Sequence, residues 1–245
     1  MLRLAILLLV CLLALILAAA TWQRQLLYFP THRSGNNGLS EWRHRQELIG
    51  FAREVPSPKN VWLMLHGNGG QASDRAYALA SFSPDDSVYI LEYPGYGTRP
   101  GAPSRASFDA AARQAYHLLR ESFPRITVCV LGESLGTGPA SVLAGEHPAP
   151  DKIVLVAPFD QLHRVAAYHY PFLPVRLLLA DDWDNVDSLR GYEGRLDIFA
   201  MRGDEVIPAR FAKALADSKP GAIYREIEGG HNDWAATGRV AVRNP

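Results

Sequence analysis

Along most of the chain, short apolar runs alternate with longer segments in which apolar residues recur every three to four positions. The runs are rich in β-branched residues and lie at Val61–Leu65, Ser87–Leu91, Ile126–Leu131, Ile153–Val156, Leu196–Met201 and Ile223–Ile227. Such runs are typical of strands buried on both faces. The segments predicted as crossover helices are Ser107–Ser122, Leu135–Gly145 and Ala209–Ser218. This alternation predicts an α/β fold with a mostly parallel central sheet and helices on both faces.

The N-terminal segment follows a different pattern, because Leu4–Ala20 contains no charged side chain. With the two residues that follow, it reaches roughly the 20 residues that cross a bilayer core. The run is longer than the apolar region of a usual secretory signal, and Trp22 and Arg24 behind it are typical of a membrane interface. We predict an N-terminal membrane helix over residues 1–22 and a folded domain over residues 23–245.

A cleaved signal peptide is the alternative, because Arg3, an apolar stretch and the small residues Ala18–Ala20 also describe a secretory signal with its cleavage site. It predicts a secreted or periplasmic protein. The anchor predicts a single-pass membrane protein instead. We place its domain on the non-cytoplasmic side, since the flanking charges are balanced and large domains cross membranes with little regard to them.

Charge and composition exclude several classes of function. The 25 basic and 25 acidic residues cancel, so a nucleic-acid partner, which needs a basic surface, is not expected. Hydrophobic residues make up 48% of the chain and charged residues 20%, which is typical of a folded domain and not of a disordered one. The two cysteines, Cys11 and Cys129, cannot complete a cysteine-rich zinc site. No metal is expected.

The candidate nucleophile is Ser134. The strand predicted over Ile126–Leu131 leads into the pentapeptide Gly132-Glu133-Ser134-Leu135-Gly136 and then into a predicted helix. A G-x-S-x-G pattern recurs by chance, but between a strand and a helix it indicates a nucleophile elbow. There a sharp turn exposes the serine hydroxyl, and only small residues fit two positions to either side.

A serine hydroxyl needs a base within hydrogen-bond reach, and the base needs a carboxylate to orient it. Asp204 and His231 each follow a predicted strand, and they come after Ser134 in that order. Serine, acid and histidine in this order are one known arrangement of a catalytic triad. Asp160, which follows another strand, and Asp233, beside the histidine, are the alternative orienting acids.

The run Val61–Leu65 ends in a glycine-rich loop that begins with His66, Gly67 and Asn68. Glycines let backbone N–H groups approach a developing negative charge, and we predict that the N–H groups of Asn68 and Leu135 form an oxyanion hole. His66 is expected to brace this loop, with a role as base as the alternative.

A second turn contains a G-x-G pattern at Gly95–Gly97, which also occurs in dinucleotide-binding loops. Pro100 and Pro103 prevent a helix from starting where a pyrophosphate needs its N-terminus. No cofactor is therefore expected.

Taken together, these motifs resemble the α/β-hydrolase superfamily, and most closely its membrane-anchored, small-lid members, which include protein depalmitoylases, lysophospholipases and serine-aminopeptidase-like proteins. The matching pieces are LLYFP at Leu26–Pro30, HGN at His66–Asn68, EYPGYG at Glu92–Gly97, GESLG at Gly132–Gly136, YPFLPVRLLL at Tyr170–Leu179, DEVIP at Asp204–Pro208 and GGHND at Gly229–Asp233. The resemblance implies an α/β-hydrolase fold and a triad of Ser134, Asp204 and His231. The chain departs from the pattern at Met201, where the family usually has glycine.

The resemblance also implies a cap, which is short here and covers about residues 160–195. A small cap leaves the site open to a lipid-like or small-molecule acyl substrate presented at a membrane. The acidic run Asp181–Asp184 is expected to be solvated cap surface, with a site for a cation or a substrate amine as the alternative.

The predicted function is that of a serine hydrolase that cleaves carboxylic esters or acyl thioesters through an acyl-enzyme on Ser134. The alternatives are a peptidase of the serine-aminopeptidase type and a non-catalytic, membrane-tethered binding protein with the same fold. The sequence does not indicate an oligomeric state.

Overall fold

The computed structural model describes residues 22–235 and 240–242, together with Arg3, Ile6, Val10 and Leu17. No helix within these residues is long and apolar enough to cross a bilayer. The predicted membrane segment lies almost entirely outside the described residues, so it stays a prediction. Residues 22–27, directly after it, are helical.

The strands of the described chain form one large sheet and a short separate ribbon. They are β1 Phe29–Pro30, β2 Ser40–His44, β3 Glu47–Arg53, β4 Asn60–Leu65, β5 Gly69–Gly70, β6 Ser87–Leu91, β7 Thr127–Glu133, β8 Lys152–Val156, β9 Arg195–Met201 and β10 Ile223–Ile227. The large sheet has the order β10-β9-β8-β7-β4-β6-β3-β2. Neighbouring strands from β10 to β6 are parallel, whereas β3 pairs antiparallel with both β6 and β2. The prediction of a mostly parallel sheet is confirmed.

The α-helices are α1 Arg105–Ser122, α2 Thr137–Val142, α3 Leu162–His169, α4 Val175–Leu178, α5 Asn185–Ser188 and α6 Ala209–Ser218. The 3₁₀ segments are Ala72–Ser81, Ser134–Gly136 and Leu143–Gly145. Helix α1 begins with a capping box, in which Ser104 Oγ accepts from the amide of Ser107 at 3.0 Å. Helix α2 covers only the middle of the predicted helix Leu135–Gly145, because 3₁₀ turns replace both ends of that segment.

Both faces of the sheet are covered, but among the described residues the α-helices pack on one face and a 3₁₀ segment on the other. Side chains alternate along a strand, so Val61, Leu63 and Leu65 of β4 pack into the cluster that holds residues of α1, α2 and α6. Trp62 and Met64 point to the other face, where the 3₁₀ segment Ala72–Ser81 and Trp234 cover them. Strands buried in this way require continuous apolar runs, which is why the sequence pattern located them.

The acidic run Asp181–Asp184 is not a solvated surface. Asp181 is buried, and Trp183 is completely buried. Their partners are Arg24 for Asp181 (2.8 Å), His163 for Asp182 (2.8 Å), the Asp187 amide for Asp184 (2.9 Å) and Asp109 for the Trp183 indole (2.8 Å). The expectation of a solvated run is wrong because Asp181 and Trp183 fasten the segment 160–195, which we call the cap, to Arg24 and to α1. Asp182 and Asp184 bind residues within the cap.

Candidate active site

Ser134 occupies a sharp turn between β7 and the 3₁₀ turn that follows it. Its φ is 52°, in the left-handed region that residues with side chains seldom adopt. A Cβ atom on Gly136 would lie 2.1 Å from the carbonyl oxygen of Leu65, and one on Gly132 would lie 2.7 Å from the Cβ of Ala140. The two glycines of the pentapeptide therefore let the turn approach β4 and α2 closely.

The three predicted triad residues lie in one chain of hydrogen bonds. His231 Nε2 is 2.8 Å from Ser134 Oγ, and His231 Nδ1 is 2.7 Å from Asp204 Oδ2. With its Nδ1 proton donated to the carboxylate, the imidazole presents Nε2 as the acceptor for the serine proton. In this geometry, His231 Nε2 can accept the hydroxyl proton of Ser134.

Asp204 is held independently of the histidine. It follows β9, and its Oδ1 accepts from the amides of Val206 (2.8 Å) and Ile207 (2.7 Å). The Asp204 side chain is fully buried against solvent and His231 is mostly buried. The carboxylate is thus fixed in position and stays available to orient the imidazole.

The two alternative acids have other partners. Asp233 accepts from the amide of Gly230 at 2.7 Å. Asp160 accepts from the Gln161 amide at 2.7 Å and forms an ion pair with Arg164. Within the described part of the chain, His231 is hydrogen-bonded to Asp204 and Ser134 and to neither of these two carboxylates.

Asn68 lies in the loop after β4, on the wall of the same cavity as Ser134. Its side chain donates to the carbonyl oxygen of Leu27 and accepts from the Phe29 amide (3.2 Å) and the Tyr96 hydroxyl (3.0 Å). These three bonds fix the loop on which one predicted oxyanion donor lies. Leu135, the other, follows Ser134 at the start of the 3₁₀ turn, where backbone N–H groups lack partners within the helix.

His66 is completely buried behind this loop. Its Nδ1 is 2.7 Å from the carbonyl oxygen of Gly67, and its Nε2 is 3.6 Å from Glu92 Oε1. The ring also packs 4.5 Å from that of Tyr93, centroid to centroid. These contacts are those of a side chain that braces the loop.

Glu133, directly before the serine, is the centre of a buried polar network that sequence reasoning missed. Its carboxylate partners are Arg75 Nε (3.1 Å), the Tyr77 hydroxyl (3.1 Å), the Trp234 indole (3.3 Å) and the Gly67 amide (3.2 Å). Burial alone would raise the pKa of Glu133, but the charge of Arg75 and the donated hydrogen bonds outweigh it and lower the pKa. The carboxylate is therefore ionised at neutral pH and holds the loop after β4 beside Ser134.

A cavity of about 670 Å³ opens over Ser134 and His231. Its other lining residues are Phe29, Thr31, Arg33, Gly67, Asn68, Gly69, Gly70, Arg75, Tyr77, Glu133, Val206 and Asn232. Glu133 is the acidic residue of this lining, and its charge is paired with Arg75. Within the described part of the chain, no cluster of histidine, cysteine and carboxylate side chains could hold a metal ion.

Known proteins are similar to this chain in sequence. No family model matches the chain. An uncharacterized protein of Mycobacterium tuberculosis is 32% identical over 230 residues, which cover 86% of this chain and 81% of that protein. Lysophosphatidylserine lipase ABHD12 of Danio rerio is 26% identical over 199 residues, 72% of this chain, and the chain spans about half the length of that lipase (52%).

The fold has close counterparts among solved structures. MGS-M2, an α/β-hydrolase enzyme from a Medee basin deep-sea metagenome library, superposes with a TM-score of 0.62 at 14% identity, covering 82% of this chain and 93% of that one. At this identity the likeness shows the fold alone. The same superfamily is indicated by the sheet order, by the turn at Ser134 and by these relatives. The chain belongs to the α/β-hydrolase superfamily.

Proposed function

We propose that the protein is a serine hydrolase that cleaves carboxylic esters or acyl thioesters through an acyl-enzyme on Ser134. The observation that carries this proposal is the hydrogen-bonded series Asp204, His231 and Ser134 on the wall of an open cavity. A hydrolase with a resident metal or organic cofactor would need further groups, whereas this series suffices for acyl transfer.

In the first half of the reaction, His231 Nε2 takes the hydroxyl proton as Ser134 Oγ bonds to the acyl carbon. The carbonyl electron pair moves onto oxygen, and the N–H groups of Asn68 and Leu135 stabilise the resulting oxyanion. When the oxyanion collapses, the bond to the leaving alcohol or thiol breaks, and His231 returns the proton to that group. The acyl chain remains as an ester on Ser134.

In the second half, water replaces the leaving group. His231 takes a proton from the water as its oxygen attacks the acyl carbon, and the bond to Ser134 Oγ breaks as the proton returns to the serine. Asp204 keeps the imidazole in one tautomer and stabilises its positive charge in both halves. The products are a carboxylic acid and regenerated enzyme.

The lining of the cavity favours an acyl substrate over a peptide with a free amine. Phe29 and Val206 at its edge are each about half exposed, so they offer apolar surface to an acyl chain. An aminopeptidase needs a carboxylate for the substrate amine, and the charge of Glu133 is already paired with Arg75.

We also propose that residues 1–22 anchor the domain 23–245 to a membrane. The support is the apolar sequence Leu4–Ala20, which leads directly into the helical residues 22–27. Intact mass spectrometry of the protein extracted from membranes tests this proposal. A mass that includes residues 1–20 supports the anchor, and a mass without them supports a cleaved signal peptide.

The experiment that tests the enzymatic proposal is labelling with a fluorophosphonate followed by peptide mapping. We expect a single adduct on the peptide that contains Gly132–Gly136, and none in a folded Ser134→Ala variant. Equal labelling of this variant would overturn the assignment of the nucleophile. Folded wild-type protein that takes no label would favour the non-catalytic binding protein instead.

A further inference from the structure

Large apolar side chains that face solvent are concentrated on the cap and on the helical residues 22–27. Phe172 is 95% exposed and Leu177 is 85% exposed. Tyr170 of the cap and Trp22 and Leu26 of the N-terminal helix are each more than half exposed. Single exposed apolar residues are common, but a contiguous group of them marks an interaction surface.

The cap and the helical residues 22–27 form one continuous surface. Arg24 pairs with Asp181 at 2.8 Å, and the Ala180 amide donates to Gln23 Oε1 at 2.7 Å. An apolar groove between the two elements is lined by Leu26, Leu27, Ala166, Tyr170, Leu173 and Leu178. The two exposed apolar regions are therefore parts of a single patch.

Among the described residues, the unpaired charge of this patch is positive. Arg24 is paired with Asp181 and Arg164 with Asp160, which leaves Arg176 without a carboxylate partner. Arg176, next to Leu177, is exposed and forms no ion pair within the described residues. Exposed apolar side chains beside an unpaired cation are typical of a surface that binds a bilayer containing anionic lipids.

The position of the patch in the chain points to the same partner. The apolar sequence Leu4–Ala20 ends just before Trp22, so a membrane-inserted segment would bring this surface to the bilayer. The patch also adjoins the catalytic cavity. His169, at the end of α3, lies 2.8 Å from the carbonyl oxygen of Val206, and Val206 and Phe29 both line that cavity.

We propose that α3, α4, the loop between them and the helical residues 22–27 form a bilayer-docking surface that holds the mouth of the catalytic cavity at the lipid interface. Phe172 and Leu177 lie among the acyl chains just below the headgroups, and Arg176 lies among the lipid phosphates. Docking does not depend on Ser134. The delivery of a lipid acyl group from the bilayer to the cavity rests on the proposed function.

Measuring the depth of spin labels tests the docking itself. The full chain carries a Cys11→Ser substitution, its remaining Cys129 is buried, and it is reconstituted into vesicles of phosphatidylcholine and phosphatidylglycerol in equal parts. A nitroxide is attached at Phe172→Cys or Leu177→Cys. The matched control is Lys59→Cys, an exposed position before β4, at the opposite end of the strands from the site.

We expect labels at 172 and 177 to collide more with oxygen than with a water-soluble nickel chelate, and the label at 59 to show the reverse. Water-like accessibility at 172 and 177 would overturn the proposal. If those labels were immobilised and collided little with either oxygen or the chelate, a protein partner or a second copy of the chain would cover the patch instead of lipid, and the proposal would also be overturned.

Kinetics separate docking from catalysis. We expect the double variant Phe172→Ser, Leu177→Ser to hydrolyse a vesicle-borne ester on the order of tenfold more slowly, since it loses two apolar contacts with lipid. Its rate on a soluble short-chain ester should stay within about twofold of wild type. Equal losses on both substrates would contradict docking. A wild-type protein without esterase activity would contradict the proposed function, while the spin labels would still decide on docking.

Discussion

At the scale of single residues, the strained backbone of Ser134 depends on neighbours that the sequence reveals only in part. The glycines at 132 and 136 are visible as a local pattern, and they predicted the turn. Glu133 is held beside the serine by Arg75 and Trp234, which are 58 and 101 residues away from Glu133 in the chain. No local periodicity connects such positions, so the network behind the turn could not be predicted.

The assignment of the orienting acid is tested by Asp204→Asn. The amide keeps the hydrogen bonds from the backbone but cannot hold the imidazole in the required tautomer, so kcat should fall on the order of 10³-fold or more. Steady-state kinetics on a soluble ester measure this fall. Asp233→Asn serves as the control, with a loss of less than about tenfold, because Asp233 contacts the Gly230 amide. Comparable losses in the two variants would contradict the assignment.

We expect the substitution Glu133→Gln to make the free energy of unfolding less dependent on pH. The pKa of Glu133 is lowered in the folded state, so its charge stabilises the fold above the unfolded value of about 4.3 and this contribution is lost as pH falls through the folded pKa. At pH 7 the variant leaves buried Arg75 without its partner, and we expect a destabilisation of about 3 kcal/mol.

The difference in unfolding free energy between wild type and Glu133→Gln should narrow as pH falls below the unfolded value of about 4.3. Below that pH the unfolded chain takes up a proton at Glu133, whereas the lowered pKa keeps Glu133 of the folded protein ionised to lower pH. Urea unfolding at a series of pH values measures this difference. A difference that stays constant from pH 7 to pH 3.5 would show that the charge of Glu133 has no part in stability.

At the scale of elements, the parallel strands of the large sheet were predictable and its antiparallel edge was not. Every predicted strand is present, and the largest shift of a boundary is at β7, which continues to Glu133. Strands β2 and β3 were missed because they form the antiparallel edge, where β2 has the polar sequence SEWRH and is mostly exposed. Helices α4 and α5 have four residues each, too few to show a helical period.

The attachment of the cap to α2 is tested by Gly138→Ala. A Cβ atom there would lie 2.6 Å from the ring of Trp183, which is fully buried and bonded to Asp109. We expect a destabilisation of about 1–3 kcal/mol from this overpacking. Chemical denaturation measures it, with Gly145→Ala as the control because that Cβ would have no neighbour within 4 Å. Equal free energies of unfolding for the two variants would contradict this prediction and show that the ring of Trp183 shifts at little cost.

At the scale of the whole molecule, the formal net charge is zero at pH 7, so little repulsion opposes association of copies through the exposed patch on the cap. The sequence pI is about 7.1, so the chain acquires a net positive charge as pH falls towards 5.5. We expect self-association in dilute detergent to be greater at pH 7 than at pH 5.5, as measured by sedimentation velocity. Association that is stronger at pH 5.5 would show that charge does not limit it.

Asn68 joins the residues just after the predicted membrane segment to the loop beside the serine, through hydrogen bonds with Leu27 and Phe29. Its third hydrogen bond is with Tyr96. Proteolysis would therefore have opposite effects at two nearby sites. A cut just before Trp22 would release the domain with this junction intact and its activity towards soluble esters preserved. A cut a few residues later, after Pro30, would remove two of the three hydrogen bonds that hold the loop. The domain released by this cut would lose its activity towards soluble esters.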